Sequence, residues 1–187
     1  MIHIDRRTAL KAMMMLGATG ASAAQPGEWT DPVEVRHEET LCLTYRARWD
    51  GPLLVVQATI EPGWHTFAMD NKLRAEEKLA GRKSLGIDHP TEFKLTGATV
   101  VEGPWYQTPP KDFSKPELRW FSWGFERQAL FAAKIRRPGA GAQIAVRGQA
   151  CTDAICKNID VTIPFPPSKS RTGDSSELDL NTLTKVR

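Results

Sequence analysis

The chain has 187 residues, 41% of them hydrophobic, enough for one domain with its own core; this excludes a disordered chain. The net charge of +3 falls to +1 (22 basic against 21 acidic) once the first 23 residues are set aside. A near-neutral domain has no basic footprint for nucleic acid, and no segment is long and apolar enough to span a bilayer.

Residues 1–23 read as an export signal. Arg6-Arg7 is followed by Leu10-Lys11, an apolar run from Ala12 to Leu16, and the small residues Ala21-Ser22-Ala23. The pattern resembles a twin-arginine signal, which a receptor reads as an address; an ordinary secretory signal is the alternative. Either predicts a periplasmic protein without stable membrane insertion, in a compartment that permits disulfides.

The domain is expected over 24–167. Gln25 to Thr40 reads as a polar lead-in. Leu41, Leu43 and Tyr45 then alternate with Cys42, Thr44 and Arg46, a strand pattern that places Cys42 on the partly exposed side. Leu53 to Ile60 is a continuous β-rich run stopped by Glu61-Pro62-Gly63, a turn signal. Asn71 to Ser84, rich in helix formers and charge, is an exposed helix or an insertion. Further strands are expected at Phe93–Val101, Ala129–Ile135, Ile144–Arg147 and Ile159–Phe165. Short strands with Gly, Pro and Asp punctuation predict an all-β, antiparallel sandwich of one domain. Residues 168–187 are polar and read as a flexible tail without an apolar anchor.

Cysteine usage carries the chemistry. An odd count of three leaves one thiol unpaired in an oxidising compartment, and Cys42 is the remote one. Cys151 and Cys156 lie five apart in QACTDAICKN. A structural zinc site needs four ligands, and neither a second cysteine pair nor a His-x-x-x-His spacing exists. Cys151, Cys156, His65 and Met69 form a soft set that would suit Cu(I) if folding converged them. A thioredoxin site needs Cys-x-x-Cys at a helix start, whereas this gap is four and its flanks are strand-like. A hairpin turning at Thr152–Ile155 would bring the two cysteines face to face, within disulfide range. A staple closing so short a loop contributes only about 2 kcal/mol on the chain-entropy model. Staple, redox pair and metal clip all stay open on these grounds.

Three motifs occur in one order: GWHTF (Gly63–Phe67), PTEF (Pro90–Phe93) and QACTDAIC (Gln149–Cys156). In this the chain, from about Val33 to Pro166, resembles the periplasmic N-terminal domain of the thiol:disulfide interchange protein DsbD and its stand-alone relatives. The resemblance implies an immunoglobulin-like sandwich with the cysteine pair on neighbouring strands. It implies that electrons come from a membrane-embedded or thioredoxin-like thiol reductant and pass to disulfides of other periplasmic proteins. Cys156 would bond transiently to the partner and Cys151 would resolve; no cofactor and no metal is needed. Pro109–Glu117 matches the family's cap loop, with Phe113 over the sulfurs and Asp112 beside it to tune a thiol or meet a partner; an ordinary loop aromatic and a solvated carboxylate are the plain readings. His65 and Phe67 match positions lining the family's site, or else belong to the core. Three features depart from the pattern: Lys157-Asn158 stands where prolines often follow, 71–84 is longer, and Cys42 has no counterpart. DsbD continues into membrane helices and a thioredoxin domain, so this chain is expected to depend on a separate reductant.

Two rivals remain. Six tryptophans are enough for an aromatic ligand surface, and the soft ligand set offers Cu(I) handling.

Overall fold

A computed structural model describes residues 26–82, 89–97, 100–136, 141–166 and 176–187. The export signal expected over 1–23 lies outside the described residues, as does the boundary at 167/168.

Long alternating segments build the frame. In β2 (Thr40–Asp50), Tyr45, Ala47 and Trp49 point inward while Thr44, Arg46 and Arg48 stay half-buried, the period of two that a one-sided strand requires. Such strands form two antiparallel sheets. The first runs β1 (Val33–His37), β2, β3 (Leu53–Ile60), β10 (Gln128–Arg136), β7 (Tyr106–Gln107) and β13 (Thr184–Lys185), with β6 (Val100–Val101) also on β10. The second runs β12 (Cys156–Pro164), β11 (Gln143–Cys151), β4 (His65–Phe67), β9 (Trp123–Phe125) and β8 (Lys111–Asp112), with β5 (Glu92–Leu95) also on β11. The inner faces interdigitate through Tyr45, Trp49, Val56, Phe131, Ile144 and Ile163. The all-β sandwich expected from the sequence is therefore the fold observed, compatible with an immunoglobulin-like arrangement.

Four expectations are corrected. The lead-in is structured: Gly27 and Thr30 donate backbone hydrogen bonds to Trp49 and Ala47, and β1 follows. Phe93–Val101 is not one strand but β5 and β6, which pair with different sheets. Gly97 makes the switch at φ +74°, where a Cβ would also sit 2.8 Å from the Ala142 backbone.

Cys42 is fully buried rather than partly exposed. The β1–β2 register slips between Val35 and Arg36, which face Leu43 and Leu41, so Cys42 is the extra residue of a bulge and turns inward. Burial pushes its thiol up, against a backbone hydrogen bond at His37 and the charges of Lys157 and Arg36.

Residues 176–187 are anchored. Leu178, Leu180 and Leu183 pack on Leu53, Val55 and Ala132, the outer face of the first sheet. This cover explains the apolar run Leu53–Val56 that opens β3, which is buried on both faces. Asp50, 1% exposed, accepts the amides of Glu177 and Leu178 at 2.9 Å each. β13 then pairs with β7, and Arg187 reaches Glu77 at 3.0 Å and Asp70 at 3.7 Å.

The charged segment forms α1 (Asn71–Leu79), docked rather than free: Asn71, Ala75 and Leu79 repeat every fourth residue on one buried face. It ends at Ala80 in the left-handed region. Asp70 accepts from Arg74 at 2.8 and 3.0 Å and from Gln107 at 2.8 Å. Burial pushes the Asp70 carboxyl up, but the bonds from Arg74 and Gln107 outweigh it, and the group ends below its ordinary value.

Candidate functional site

The two remaining cysteines sit at the tip of the β11–β12 hairpin. The register runs unbroken from Gln143↔Pro164 to Cys151↔Cys156, so the pair closes the ladder. Their Cα atoms are 4.1 Å apart and they form a disulfide. Only a turn held from within fits four residues between such partners. Thr152 supplies it: its amide bonds the Ile155 carbonyl at 2.8 Å, and its hydroxyl accepts the amides of Ala154 and Ile155 at 3.1 Å each. This role for Thr152 was legible in Cys-Thr-Asp-Ala as a Ser/Thr-turn signal, but was not read from it.

The two cysteines are unequal. Cys151 is on the central strand and 2% exposed, whereas Cys156 is exposed, next to Ile155 at 43% exposure. An incoming thiolate therefore has its way in from the Cys156 side.

On the other flank of β11, β4 pairs Cys151 with His65 and Ala150 with Thr66. The Thr66 hydroxyl donates to the Gln149 carbonyl at 2.9 Å, tying the strands together next to the cysteine. β4 is in turn pressed against β9: a Cβ on Gly124 would stand 2.0 Å from the Thr66 carbonyl oxygen. Only glycine lets β9 approach that closely and hold β4 in place.

His65 is half-buried, its ring edge-on to Phe67 at 5.3 Å and stacked at a tilt on Phe113 at 5.0 Å. Phe67 itself is fully buried and belongs to the floor. Phe113 thus lies over His65, one strand beyond Cys151, in a loop folded back by Phe113–Ser122 and Lys115–Trp120 backbone bonds. Asp112 is exposed and accepts the Ser114 amide at 2.8 Å, which shapes the start of that loop.

Beside the hairpin tip opens a cleft of about 490 Å³. Trp64, His65, Phe113 and Trp120 give it aromatic walls, and Thr152 and Asp153 bring the tip to its edge. The aromatic residues therefore serve this cleft and the core. Trp49, Trp64 and Trp123 are buried, Trp105 stacks on Phe93, and Trp29 lies under the guanidinium groups of Arg46 and Arg48. Trp64 and Trp120 come together on the cleft wall, and the other described tryptophans do not line it. The Cu(I) set does not form: Met69 packs against the core, and no three His, Cys, Asp or Glu side chains among the described residues converge to hold a metal.

No protein-family model matches the chain, and no curated protein matches it. Among solved structures it is similar to the N-terminal domain of DsbD from Neisseria meningitidis in the reduced form. The two are 11% identical, with a TM-score of 0.41, over 63% of this chain and 78% of that one. At that distance the likeness carries no argument about the site. Among the described residues, no helix is long and apolar enough to cross a membrane.

Proposed function

We propose that this protein exchanges thiols and disulfides through Cys151 and Cys156. The observation that carries the reading is the asymmetry of one disulfide, with Cys151 buried on an interior strand and Cys156 exposed at a hairpin tip. A partner thiolate attacks the Cys156 sulfur; the new bond forms there, and Cys151 leaves as thiolate with the electron pair. A second partner thiol then attacks its own mixed sulfur and expels Cys156, so the partner dithiol is oxidised and this pair reduced. The reverse sequence passes the two electrons to another protein's disulfide. The donor is a membrane-embedded or thioredoxin-like thiol reductant, the acceptors are disulfide-bearing exported proteins, and the setting is the periplasm. The expected export signal and the paired cysteines support this, together with motifs that resemble those of DsbD-type domains.

Phe113 and the loop that carries it shield the His65 side of the sulfurs, and Asp112 shapes that loop. Cys42 stays outside the exchange, because burial disfavours its thiolate. Trapping tests the order of events. Cys151→Ser should accumulate a mixed disulfide with a disulfide-bearing acceptor: the Cys156 thiolate attacks that disulfide, one acceptor sulfur leaves as thiolate, and the thiol that would resolve the new bond is gone. Cys156→Ser should accumulate far less. Equal adducts from both variants, or none from either, would contradict the assignment.

A further inference from the structure

Cys156, Cys151 and His65 occupy one row across three adjacent strands, β12, β11 and β4. Directly opposed residues of an antiparallel pair have Cβ atoms about 5 Å apart on the same face. The His65 ring packs at right angles to Phe67 and at a tilt on Phe113, so it has an aromatic neighbour on two sides. Resting on the exchange proposed above, we propose that His65 is the proton-holding partner of Cys151: the imidazolium faces the Cys151 sulfur and stabilises it as thiolate when the disulfide opens. When Cys156 is attacked, the bond electrons go to Cys151, and the negative charge forms beside the ring. No proton need arrive from solvent at that moment. In the disulfide state the sulfur is uncharged, so the ring loses this reason to stay protonated.

The surrounding charges leave this to His65. Glu61, Glu126 and Asp153 face the cleft on the acidic side, with Lys115 and Arg127 on the basic side and the Lys111 ammonium above Phe113. Lys157 follows Cys156 on β12. The two signs nearly balance, and side chains of these types do not ordinarily titrate between pH 5 and 8, where an imidazole does. The other described imidazoles are His37, 6.3 Å from the Trp64 ring, and His89, whose amide bonds the Gln149 side chain at 3.3 Å; His37 serves as the control.

The test is the proton count of the redox couple. The reduction potential of the Cys151–Cys156 pair would be followed from pH 5 to 8 against glutathione, with acid trapping of thiols. Above the imidazole midpoint, reduction takes up two protons, one on Cys156 and one on His65. Below it, the ring already holds its proton, and uptake falls towards one. The wild-type slope should therefore flatten below about pH 6.5. His65→Gln should restore a two-proton slope throughout, and should lower alkylation of the reduced pair at pH 6.5 about tenfold. His37→Gln should leave the break in place. A slope unchanged by His65→Gln, or a break lost in His37→Gln, overturns the assignment while exchange itself stands. Failure of the wild-type disulfide to exchange with any dithiol overturns both.

Discussion

The strapped face and the cysteine rim of this sandwich use polar groups in opposite ways. Under the strap of residues 176–187, the carboxylates of Asp50 and Asp70 are almost fully buried, and each accepts several donors. At the rim, Cys156 and the loop residues Asp112 and Asp153 are exposed, and a cleft stands open beside them. A saturated, buried polar cluster fixes geometry; an open one leaves atoms for a partner to reach. Stability and chemistry are therefore expected to separate along this line, and variants on either side can break or sharpen the division.

Deleting residues 176–187 should have the largest effect. It uncovers Leu53, Val55 and Ala132 and leaves Asp50 without the Glu177 and Leu178 amides, for a loss on the order of 5 kcal/mol in denaturant melts. Asp70→Ala comes next, at about 3 kcal/mol or more, because Arg74 and Gln107 lose a buried partner. In both variants the fraction still folded should exchange thiols at the wild-type rate. A specific exchange defect in either would break the separation.

Removing the disulfide with Cys151→Ser and Cys156→Ser together should cost only about 2 kcal/mol, while exchange disappears. Loss of the fold in that variant would make the bond a staple after all.

The acid limb of stability belongs to the strapped side. The folded-state carboxyl of Asp70 lies below its unfolded value, so its contribution is present above about pH 4 and is lost as pH falls through the lower folded value. Asp70→Asn should flatten that limb in a pH series of melts; an unchanged limb would place the acid sensitivity elsewhere.

Phe113→Ala should be the mildest on stability, under about 1 kcal/mol for a half-buried loop ring. It should nonetheless speed alkylation of the reduced cysteines, because the cover over His65 is gone. An unchanged rate would leave Phe113 as packing alone.

The frame was readable where physics is local. The Leu43–Trp49 alternation, the strand at Leu53–Ile60, and the hairpin that pairs Cys151 with Cys156 all follow from period two and turn chemistry. Cys42 was misread because one bulge inverts an alternation without leaving a trace in composition. Phe93–Val101 was misread because its two ends are both strand-like, and nothing local shows that they pair with different sheets. The tail was misread because Leu178, Leu180 and Leu183 are spaced among polar residues and find their partners more than a hundred positions away, on β3. A signal did exist: a strand apolar on both faces needs a cover on both, and Leu53–Val56 announced one. At the site, the two cysteines were legible from spacing. The pairing of His65 with Cys151 was not, since it depends on which strand lies next to β11.

The most direct measurement is the reduction potential of the Cys151–Cys156 couple, by equilibration against glutathione or dithiothreitol with thiol trapping. A working exchange pair should lie near about −180 to −270 mV, within reach of thioredoxin-like donors. A value below about −300 mV would mark a structural bond, and would contradict thiol exchange as the work of this domain.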